Sequence, residues 1–550
     1  MSDSVSGLLT IALLVALLAA AYLPLGGWMA RVFTDPAHWR VERLVYRLVR
    51  VSPDTEQSWR AYAASVLAFS IAGIAALFGL IVVQRWLPLS QGAAGMGLTT
   101  ALNTAVSFVT NTNWQSYAGE VGTGPLVQTL GLTVQNFLSA AVGIAVAVAL
   151  IRAIARRGGQ PIGNFWVDLV RGTVRILLPI SIIGAALLLV GGVIQNLSAP
   201  ATIHSAAGAT QVVRGGLVAS QEAIKQLGTN GGGYFNANSA HPFENPNPAT
   251  NLLEIFLLLL IPFALTRTYG LMVGDRRQGW ALLGFAGTLW AGSVALTTWA
   301  EVSAAGQVAG GAMEGKEQRF GVWASALFGA STTGTSTGAV NSMHESYSPL
   351  GGGTVLANMT LSEVSPGGVG SGLYGILIVA IIAVFIAGLM VGRTPEFLGK
   401  TIGRHEITAA ALYTLVMPVL VLTFTGLSLA MSGPRSAMLA SGPHGLTEVM
   451  YAFASGTNNN GSAFAGLGAD TPWFNLTLAA CMLLGRFVPM LLVLRLAGLL
   501  VEQQPRPATV GTMPTHTPLF VGLLAGVAII VAGLTFFPAL ALGPIAEALS

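Results

Sequence analysis

Four short polar stretches of the sequence carry many oxygen atoms and no acidic side chain. They cover 110–115, 228–233, 332–338 and 456–461 and consist mainly of threonine, asparagine, serine and glycine. Uncharged oxygens suit a monovalent cation that has lost its water shell, whereas a divalent cation usually recruits several carboxylates. The chemistry that these residue types predict is therefore the binding of a dehydrated monovalent cation.

The composition indicates which elements must position these stretches. The chain has 550 residues, of which 53% are hydrophobic and only 9% are charged, and its mean hydropathy is +0.68. Soluble domains carry about 25% charged residues, so the sequence indicates an all-α polytopic membrane protein. Ten apolar segments are long enough to cross a bilayer, at about 20 residues each: 6–27, 60–85, 127–151, 174–197, 250–270, 280–300, 370–392, 407–431, 474–498 and 518–540.

Each polar stretch follows a partly apolar segment that is too short to span a bilayer. A short helix that runs into irregular backbone is typical of a re-entrant loop, which dips into the membrane from one side. If Thr110, Thr229, Thr333 and Thr457 are equivalent, the pattern recurs with a period of about 120 residues. One stretch alone would fit a solvated surface loop equally well, but four at matching positions favour a shared role.

The period divides the chain into four span–loop–span units, with one extra span at each end. The predicted units are 60–160, 161–275, 276–400 and 401–505, and the flanking segments are 1–59 and 506–550. Four such units can surround one axis in a pseudo-fourfold arrangement. Their short helices would then end near the axis with their carbonyl groups inward, and the helix dipole favours a cation there.

Glycine and asparagine in the stretches fit this arrangement, because they adopt positive φ angles more readily than most residues. Such backbone can turn carbonyl oxygens toward the axis, where rings of carbonyls replace the water shell of K+. The residues that this reasoning selects in the last three stretches are Thr229, Asn230, Thr335, Ser336, Thr337, Thr457, Asn458, Asn459 and Asn460.

Basic residues are concentrated on one side of the predicted spans. Of the 26 lysines and arginines, only six lie on the other side: Arg85, Arg214, Lys225, Lys316, Arg319 and Arg435. The basic side includes Arg31, Arg40, Arg43, Arg47 and Arg50 after the first span and Arg393, Lys400 and Arg404 before the eighth. The positive-inside rule makes this side cytoplasmic and places the N-terminus and the four loops outside. Because no basic residue precedes the first apolar run, we expect a retained anchor and not a cleaved signal peptide.

Four strings are specific enough to indicate a family: GTNNNGSAFAG, LGTNGGGYFNANSAHPFENP, TNTNWQSYAGE and TGAVNSMHES. They closely resemble the potassium-binding A subunit of the bacterial Kdp potassium-transporting ATPase, and the resemblance covers essentially the whole chain. It implies a K+-selective binding and translocating subunit of a high-affinity ATP-driven importer in the bacterial inner membrane. It also implies that the following residues lie at or beside the K+ site: Thr110, Asn111, Thr112, Asn113, Gln115, Gly231, Gly232, Gly233, Gly338 and Gly461.

The first stretch departs from a glycine filter, because Asn113-Trp114 stands where a glycine is expected. We therefore expect the side chain of Asn111 or Gln115 to contribute an oxygen in place of a carbonyl. Arg486 interrupts the ninth span near mid-membrane, where an arginine usually has a function. The alternative is a helix placed lower, with Arg486 reaching the cytoplasmic face. The resemblance implies that Arg486 guards the conduit beyond the filter.

The longest predicted cytoplasmic segment has about 30 residues, which is too short for a nucleotide-binding domain. We therefore expect no ATP hydrolysis and no cofactor in this chain, no nucleic-acid partner, and contact with membrane lipid. The resemblance implies a P-type ATPase B subunit, a single-span C subunit and a small accessory peptide as partners. Two alternatives stay open: a stand-alone K+ channel or ion-coupled symporter, and a K+ sensor that transports nothing.

Overall fold

The computed structural model describes residues 3–93, 95–206, 208–304, 311–392, 394–507 and 512–550. Arg393 of the basic loops lies outside the described residues. Ten helices in the described part are long and apolar enough to cross a membrane, which confirms the ten predicted spans. They are Asp3–Thr34, Trp59–Trp86, Val127–Ala155, Phe165–Val190, Pro248–Met272, Arg276–Ser303, Ser371–Met390, Arg404–Ala430, Pro472–Glu502 and Pro518–Leu549.

The fourth span departs most from its predicted bounds of 174–197. It begins at Phe165, where the side chain of Asn164 accepts hydrogen bonds from the first free backbone N–H groups. It ends at Val190, because Gly192 takes a φ of +102° that a helix cannot continue. Its early part contains charged residues such as Arg175, which is buried and bonded to Glu42. Charged residues lower the hydropathy of a segment, so a prediction from hydropathy leaves them out of the span. The predicted start of this span was therefore too late.

Three other spans also begin after a capping side chain, and in these a proline follows the cap. The pairs are Asn247-Pro248, Thr471-Pro472 and Thr517-Pro518. Each capping oxygen accepts a backbone N–H of the first turn, and proline suits the first helical position because it has no N–H to satisfy. The starts of these spans are therefore encoded locally.

Four short helices precede the four polar stretches: Leu98–Val109, Val218–Leu227, Gly321–Gly334 and Gly442–Asn458. Each lies between two spans of one predicted unit. The other helices outside the spans are Arg40–Leu48, Gly119–Gly122, Pro349–Thr360 and Ser432–Arg435, with 3-10 turns at Asn238–Ala240, Gly311–Met313 and His344–Ser346.

Burial separates the spans into an inner and an outer set. The span that follows each short helix is the more buried of its unit: 83% of an apolar 18-residue stretch of Val127–Ala155 is buried, against 22% for Trp59–Trp86. The same holds for Pro248–Met272 at 78%, against 33% for Phe165–Val190. The two extra spans are exposed along most of their length. The inner spans therefore surround the loops, and the others face outward.

Two small hairpins are exceptions to the all-α expectation, and both lie between spans. Strands β1, Ala201–His204, and β2, Thr210–Val213, pair antiparallel after the fourth span. Strands β3, Glu396–Phe397, and β4, Lys400–Thr401, pair antiparallel before the eighth span. They leave the helical architecture unchanged.

Candidate functional site

The four short helices end in one repeated hydrogen-bonded turn. In each, a backbone N–H beyond the helix donates to the carbonyl five residues earlier. These bonds run from Thr112 to Ser107 at 2.9 Å, Asn230 to Lys225 at 2.8 Å, Thr337 to Thr332 at 3.1 Å and Asn460 to Ser455 at 2.9 Å. The bonds make Thr112, Asn230, Thr337 and Asn460 structurally equivalent.

This register corrects the alignment of the four threonines. Thr229 corresponds to Asn111 and not to Thr110, and the partners of Thr110 in the third and fourth loops are Thr335 and Asn458. The sequence places the equivalent positions one or two residues too early in those two loops, because Thr-Asn and Thr-Thr pairs recur at neighbouring positions. Thr457 consequently belongs to the last turn of its short helix.

Two alternate residues of each loop have a positive φ, and Gly232 of the second loop has one as well. The pairs are Asn111 at 67° and Asn113 at 57°, Thr229 at 46° and Gly231 at 72°, Ser336 at 55° and Gly338 at 81°, and Asn459 at 59° and Gly461 at 96°. Non-glycine residues adopt such angles rarely, so their recurrence in every loop is a shared feature of the fold. Alternation of this kind changes the direction of successive carbonyl groups.

Asn113 occupies the position that glycine holds in the other three loops. Its backbone has the same left-handed conformation, which asparagine tolerates better than most residues. Its side-chain amide donates to the Gly231 carbonyl at 3.0 Å and to the Asn136 side chain at 2.7 Å. The apparent departure of the first stretch is therefore a change of residue type that keeps the backbone geometry.

The glycines mark where each loop touches the next. A Cβ on Gly231 would lie 1.9 Å from the Thr337 carbonyl oxygen, and one on Gly338 would lie 2.1 Å from that of Asn460. A Cβ on Gly461 would lie 1.8 Å from the Thr112 oxygen. The second loop therefore contacts the third, the third contacts the fourth, and the fourth contacts the first. The Asn113–Gly231 bond joins first to second, so the contacts close a ring, here named the four-loop ring (110–115, 228–233, 335–338 and 458–461).

Side chains also tie the loops to one another. The amide of Asn111 donates to the Thr229 carbonyl at 2.8 Å, and that of Asn459 donates to the Thr112 hydroxyl at 3.0 Å. The Ser336 hydroxyl donates to the Asn458 carbonyl at 2.9 Å. The first residue of each of these three positive-φ pairs therefore bonds to a neighbouring loop.

Gln115 links the first and second loops at one end of the ring. Its side-chain oxygen accepts the Gly233 N–H at 2.8 Å, and its amide donates to the Gly233 carbonyl at 3.1 Å. Gly232 packs against this link, because a Cβ there would lie 3.1 Å from Asn113 and 3.3 Å from the Gln115 oxygen. The threonines Thr110 and Thr335 bond through their hydroxyls to Thr112 and Thr337, at 2.8 and 2.6 Å.

A small cavity adjoins the ring beside Thr457, Asn458 and Asn459. Its volume is about 50 Å³, which is room for a few water molecules. Arg486, from the middle of Pro472–Glu502, lines the cavity and is buried, and its guanidinium donates to the Ser139 carbonyl at 3.2 Å. This position does not agree with an arginine that reaches the cytoplasmic surface.

The sequence analysis missed Glu363, which also lines the cavity. Its carboxylate accepts a hydrogen bond from the Asn460 amide at 2.8 Å and is buried. The signal was a single acidic residue that lies between two apolar segments and outside the four polar stretches. Glu363 therefore brings one acidic group against the back of the fourth loop.

A second missed group lies behind the second loop. Lys225, in the last turn of the short helix, pairs with Glu222 at 2.6 Å and with Glu244, and all three are buried. Burial raises the pKa of the Glu244 carboxyl, and the Lys225 ammonium opposes that rise. Glu244 also accepts the Phe235 N–H at 2.7 Å, so the cluster fixes the backbone beyond the loop.

No cluster of three or more His, Cys, Asp and Glu side chains suited to a metal ion occurs among the residues that the structure describes. The His344-Glu345 pair is divided between two partners: His344 bonds to the Tyr451 hydroxyl at 2.8 Å, and Glu345 faces His444 at 3.0 Å. The candidate ligands for a cation in this region are the oxygens of the four-loop ring.

Comparison with known proteins shows relatives of the whole chain. The crystal structure of the potassium transporter TrkH from Vibrio parahaemolyticus has a similar fold, with a TM-score of 0.50 and 14% sequence identity over 76% of this chain and 83% of that one. The potassium-transporting ATPase potassium-binding subunits of Kineococcus radiotolerans and Streptomyces coelicolor are 60% and 59% identical over 100% of this chain, and 99% and 100% of theirs. The sequence model of the family described as potassium-transporting ATPase A subunit matches residues 12–549. The chain therefore belongs to the potassium-transporting ATPase A subunit family.

Proposed function

We propose that the chain selects K+ at the four-loop ring and translocates it as the K+-binding subunit of a high-affinity ATP-driven importer. The observation that carries this proposal is the closure of the ring by four equivalent loops whose own residues include no acidic side chain. Rings of uncharged oxygens substitute for the water shell of K+, and the carbonyl ends of the short helices favour a cation there.

The ligands that we propose are backbone oxygens at the equivalent positions of the ring. The contacts between loops bring the carbonyls of Thr112, Thr337 and Asn460 against Gly461, Gly231 and Gly338. Asn230 is the equivalent residue of the second loop, so its carbonyl oxygen is the fourth proposed ligand. We assign the side chains of Asn111, Ser336, Asn459 and Gln115 to positioning, because each is engaged in hydrogen bonds between loops.

The adjoining cavity supplies the exit in this proposal. A cation that leaves the ring can regain a few water molecules in a volume of about 50 Å³. The guanidinium of Arg486 lines this cavity, and its charge raises the energy of a cation that lingers there. Arg486 thus acts as the guard of the conduit, which is the role that the resemblance implies.

A partner must supply the energy. The relatives named above are called subunits of a potassium-transporting ATPase, and the predicted cytoplasmic segments between spans are too short for a nucleotide-binding domain. We propose a P-type ATPase subunit, a single-span subunit and a small accessory peptide as partners, with K+ as the transported ligand and no resident cofactor.

The location that we propose is the bacterial inner membrane, with the N-terminus and the ring on the outer side. The concentration of arginine in loops on the opposite side supports this orientation. The four units 60–160, 161–275, 276–400 and 401–505 each contribute one loop to the ring, and the segments 1–59 and 506–550 flank them.

The test is ATP hydrolysis by the co-purified complex at increasing K+ concentration. We expect hydrolysis to rise with K+ and to require a higher K+ concentration when Gly231→Asp is present, because that change places a side chain against the Thr337 carbonyl. Uptake of Rb+ by this chain alone in vesicles would favour a channel or symporter. K+ binding without uptake by either the chain or the complex would favour a sensor.

A further inference from the structure

The helix Arg40–Leu48 presents three chemically distinct faces. At about 100° per residue, Glu42 and Tyr46 share one face, Val41, Leu44 and Leu48 a second, and Arg40, Arg43 and Arg47 a third. The faces lie about a third of a turn apart. Nine residues with this separation of apolar and basic side chains are typical of a helix that lies in the plane of a membrane interface.

The first face fixes the helix against the rest of the protein. The Arg175 guanidinium, from the fourth span, donates to the Glu42 carboxylate at 2.6 Å, and Glu42 also accepts the Trp39 N–H at 2.8 Å. The Tyr46 ring is buried against Val167 and Val170. The orientation of the two other faces is therefore determined by the fold.

The second face has no cover among the described residues. Val41, Leu44 and Leu48 are 56%, 57% and 74% exposed. The helix begins shortly after the first span ends at Thr34, so it lies at the level where that span leaves the membrane. Apolar side chains held at this level are stabilised by entering the acyl region of the adjacent leaflet.

The third face carries charge that is free to meet an anion. Arg40, Arg43 and Arg47 are exposed, and no acidic side chain lies within ion-pair distance of them in the part of the chain that the structure describes. Two carboxylates of this corner, Glu42 and Asp35, are both engaged by Arg175. The surface charge here is therefore strongly positive.

A cavity beside the start of the helix and the end of the first span completes the surface. It has a volume of about 350 Å³ and is lined by Trp28, Arg31, Asp35, Trp39 and Arg175 among others. The Asp35 carboxylate is paired with Arg175 at 3.0 Å. Among the described residues that line the cavity, Arg31 is therefore the charged side chain without an ion pair. Tryptophan is enriched at the level of lipid headgroups, and basic pockets beside membrane helices bind anionic headgroups.

From these features we infer that the helix Arg40–Leu48 and the cavity beside it form a binding site for anionic phospholipid. The arginine face binds the phosphate groups, Val41, Leu44 and Leu48 enter the acyl region, and the cavity receives a headgroup beside Arg31. The charge complementarity and the uncovered apolar face at the membrane level carry this inference. It is independent of the cation that the ring binds.

The first test measures which lipid the purified chain retains. The full chain is extracted from vesicles of mixed phosphatidylglycerol and phosphatidylcholine, and native mass spectrometry counts the lipids that stay bound. Each arginine near an anionic surface contributes about fivefold to binding, so the combined change Arg40→Gln, Arg43→Gln and Arg47→Gln should lower phosphatidylglycerol retention by about 100-fold.

The matched control neutralises three exposed arginines in other loops of the same basic side: Arg157→Gln, Arg276→Gln and Arg404→Gln. It has the same change in net charge, but its three arginines belong to separate parts of the chain and not to one helix face, so it should lower phosphatidylglycerol retention clearly less than the first variant does. Equal losses in the two triple variants would show a general charge effect and overturn the inference. No loss in the first variant would overturn it as well.

The second test determines what covers the apolar face. A spin label is placed at Leu44→Cys or at Arg43→Cys in the full chain in phosphatidylglycerol-containing vesicles, where the buried Cys481 does not compete for the label. We expect the label at 44 to be accessible to oxygen and shielded from a water-soluble relaxing agent, and the label at 43 to show the opposite. A label at 44 that is open to water, or shielded from both agents by a protein partner in the assembled complex, would overturn the inference.

Discussion

Gly461→Ala is the substitution that most directly tests the four-loop ring. An alanine Cβ at this position would lie 1.8 Å from the Thr112 carbonyl oxygen and 2.9 Å from its carbonyl carbon. Real Cβ contacts almost never fall below 3.0 Å, and the obstacle is backbone, so the Thr112 carbonyl must move by about 1.2 Å. The substitution thus displaces one proposed ligand without adding charge.

The expected loss of K+ affinity follows from the free energy that one oxygen ligand contributes to the binding of a charged ion. Interactions of a polar group with a charge contribute about 1.5–3 kcal/mol, which corresponds to a rise in the K+ Kd of about 10- to 150-fold. Alanine at a φ of +96° also costs about 1–2 kcal/mol of folding free energy. The second cost lowers stability but does not by itself change K+ affinity.

The assay is the K+-dependent rise in melting temperature of the purified chain, because a ligand stabilises the folded state by an amount set by its concentration and Kd. Titrations with Rb+ and Na+ measure ion preference in the same way. Gly442→Ala is the control: Gly442 begins the same short helix with a φ of +63°, and its Cβ would meet nothing within 4 Å. The reasoning is refuted if folded Gly461→Ala binds K+ with the affinity and preference of the control.

Three further outcomes are expected. Gln115→Ala should raise the K+ Kd by about fivefold, since it removes about 1 kcal/mol of hydrogen bonding to Gly233; the same melting titration checks this, and an effect as large as that of Gly461→Ala would contradict a positioning role. Arg486→Met should reduce Rb+ uptake by the complex while K+-dependent stabilisation of the chain persists; equal loss of both would place Arg486 in the binding site itself. His444→Gln should lower the melting temperature at neutral pH and have no effect well above pH 9. Hydrogen bonds that the imidazolium donates to Glu345 and Glu547 raise the pKa of His444 to about 9, so the imidazolium stabilises the fold fully below its usual pKa and loses this effect as pH rises through about 9. A difference that persists at high pH would exclude this electrostatic origin.

The spans were predictable because their signal is local. A run of about 20 apolar residues can be recognised without knowledge of its neighbours. The fourth span shows the limit of this signal. Arg175 looks like a loop residue in sequence, but its bond to Glu42, more than a hundred residues away, allows it to lie buried within a helix.

The candidate site was predictable in its residue types but not in its register. Threonine and asparagine recur so closely in the four stretches that the sequence offers several equally good alignments. Backbone hydrogen bonds to Ser107, Lys225, Thr332 and Ser455 select one alignment. The sequence places Asn113 where a glycine is expected, and the structure then shows that it has the backbone conformation of Gly231, Gly338 and Gly461.

The sequence by itself determined the class of protein, the number of spans, the four polar loops and the absence of acidic residues within them. The tertiary structure alone decided the order in which the loops touch, the burial of Glu363 and Arg486 around one cavity, and the three-faced exposure of the helix Arg40–Leu48. The physical reason is the distance along the chain over which each interaction acts. Hydropathy and backbone preference act over a few neighbouring residues, whereas a close approach such as that of Gly461 to Thr112 joins parts of the chain that only folding brings together.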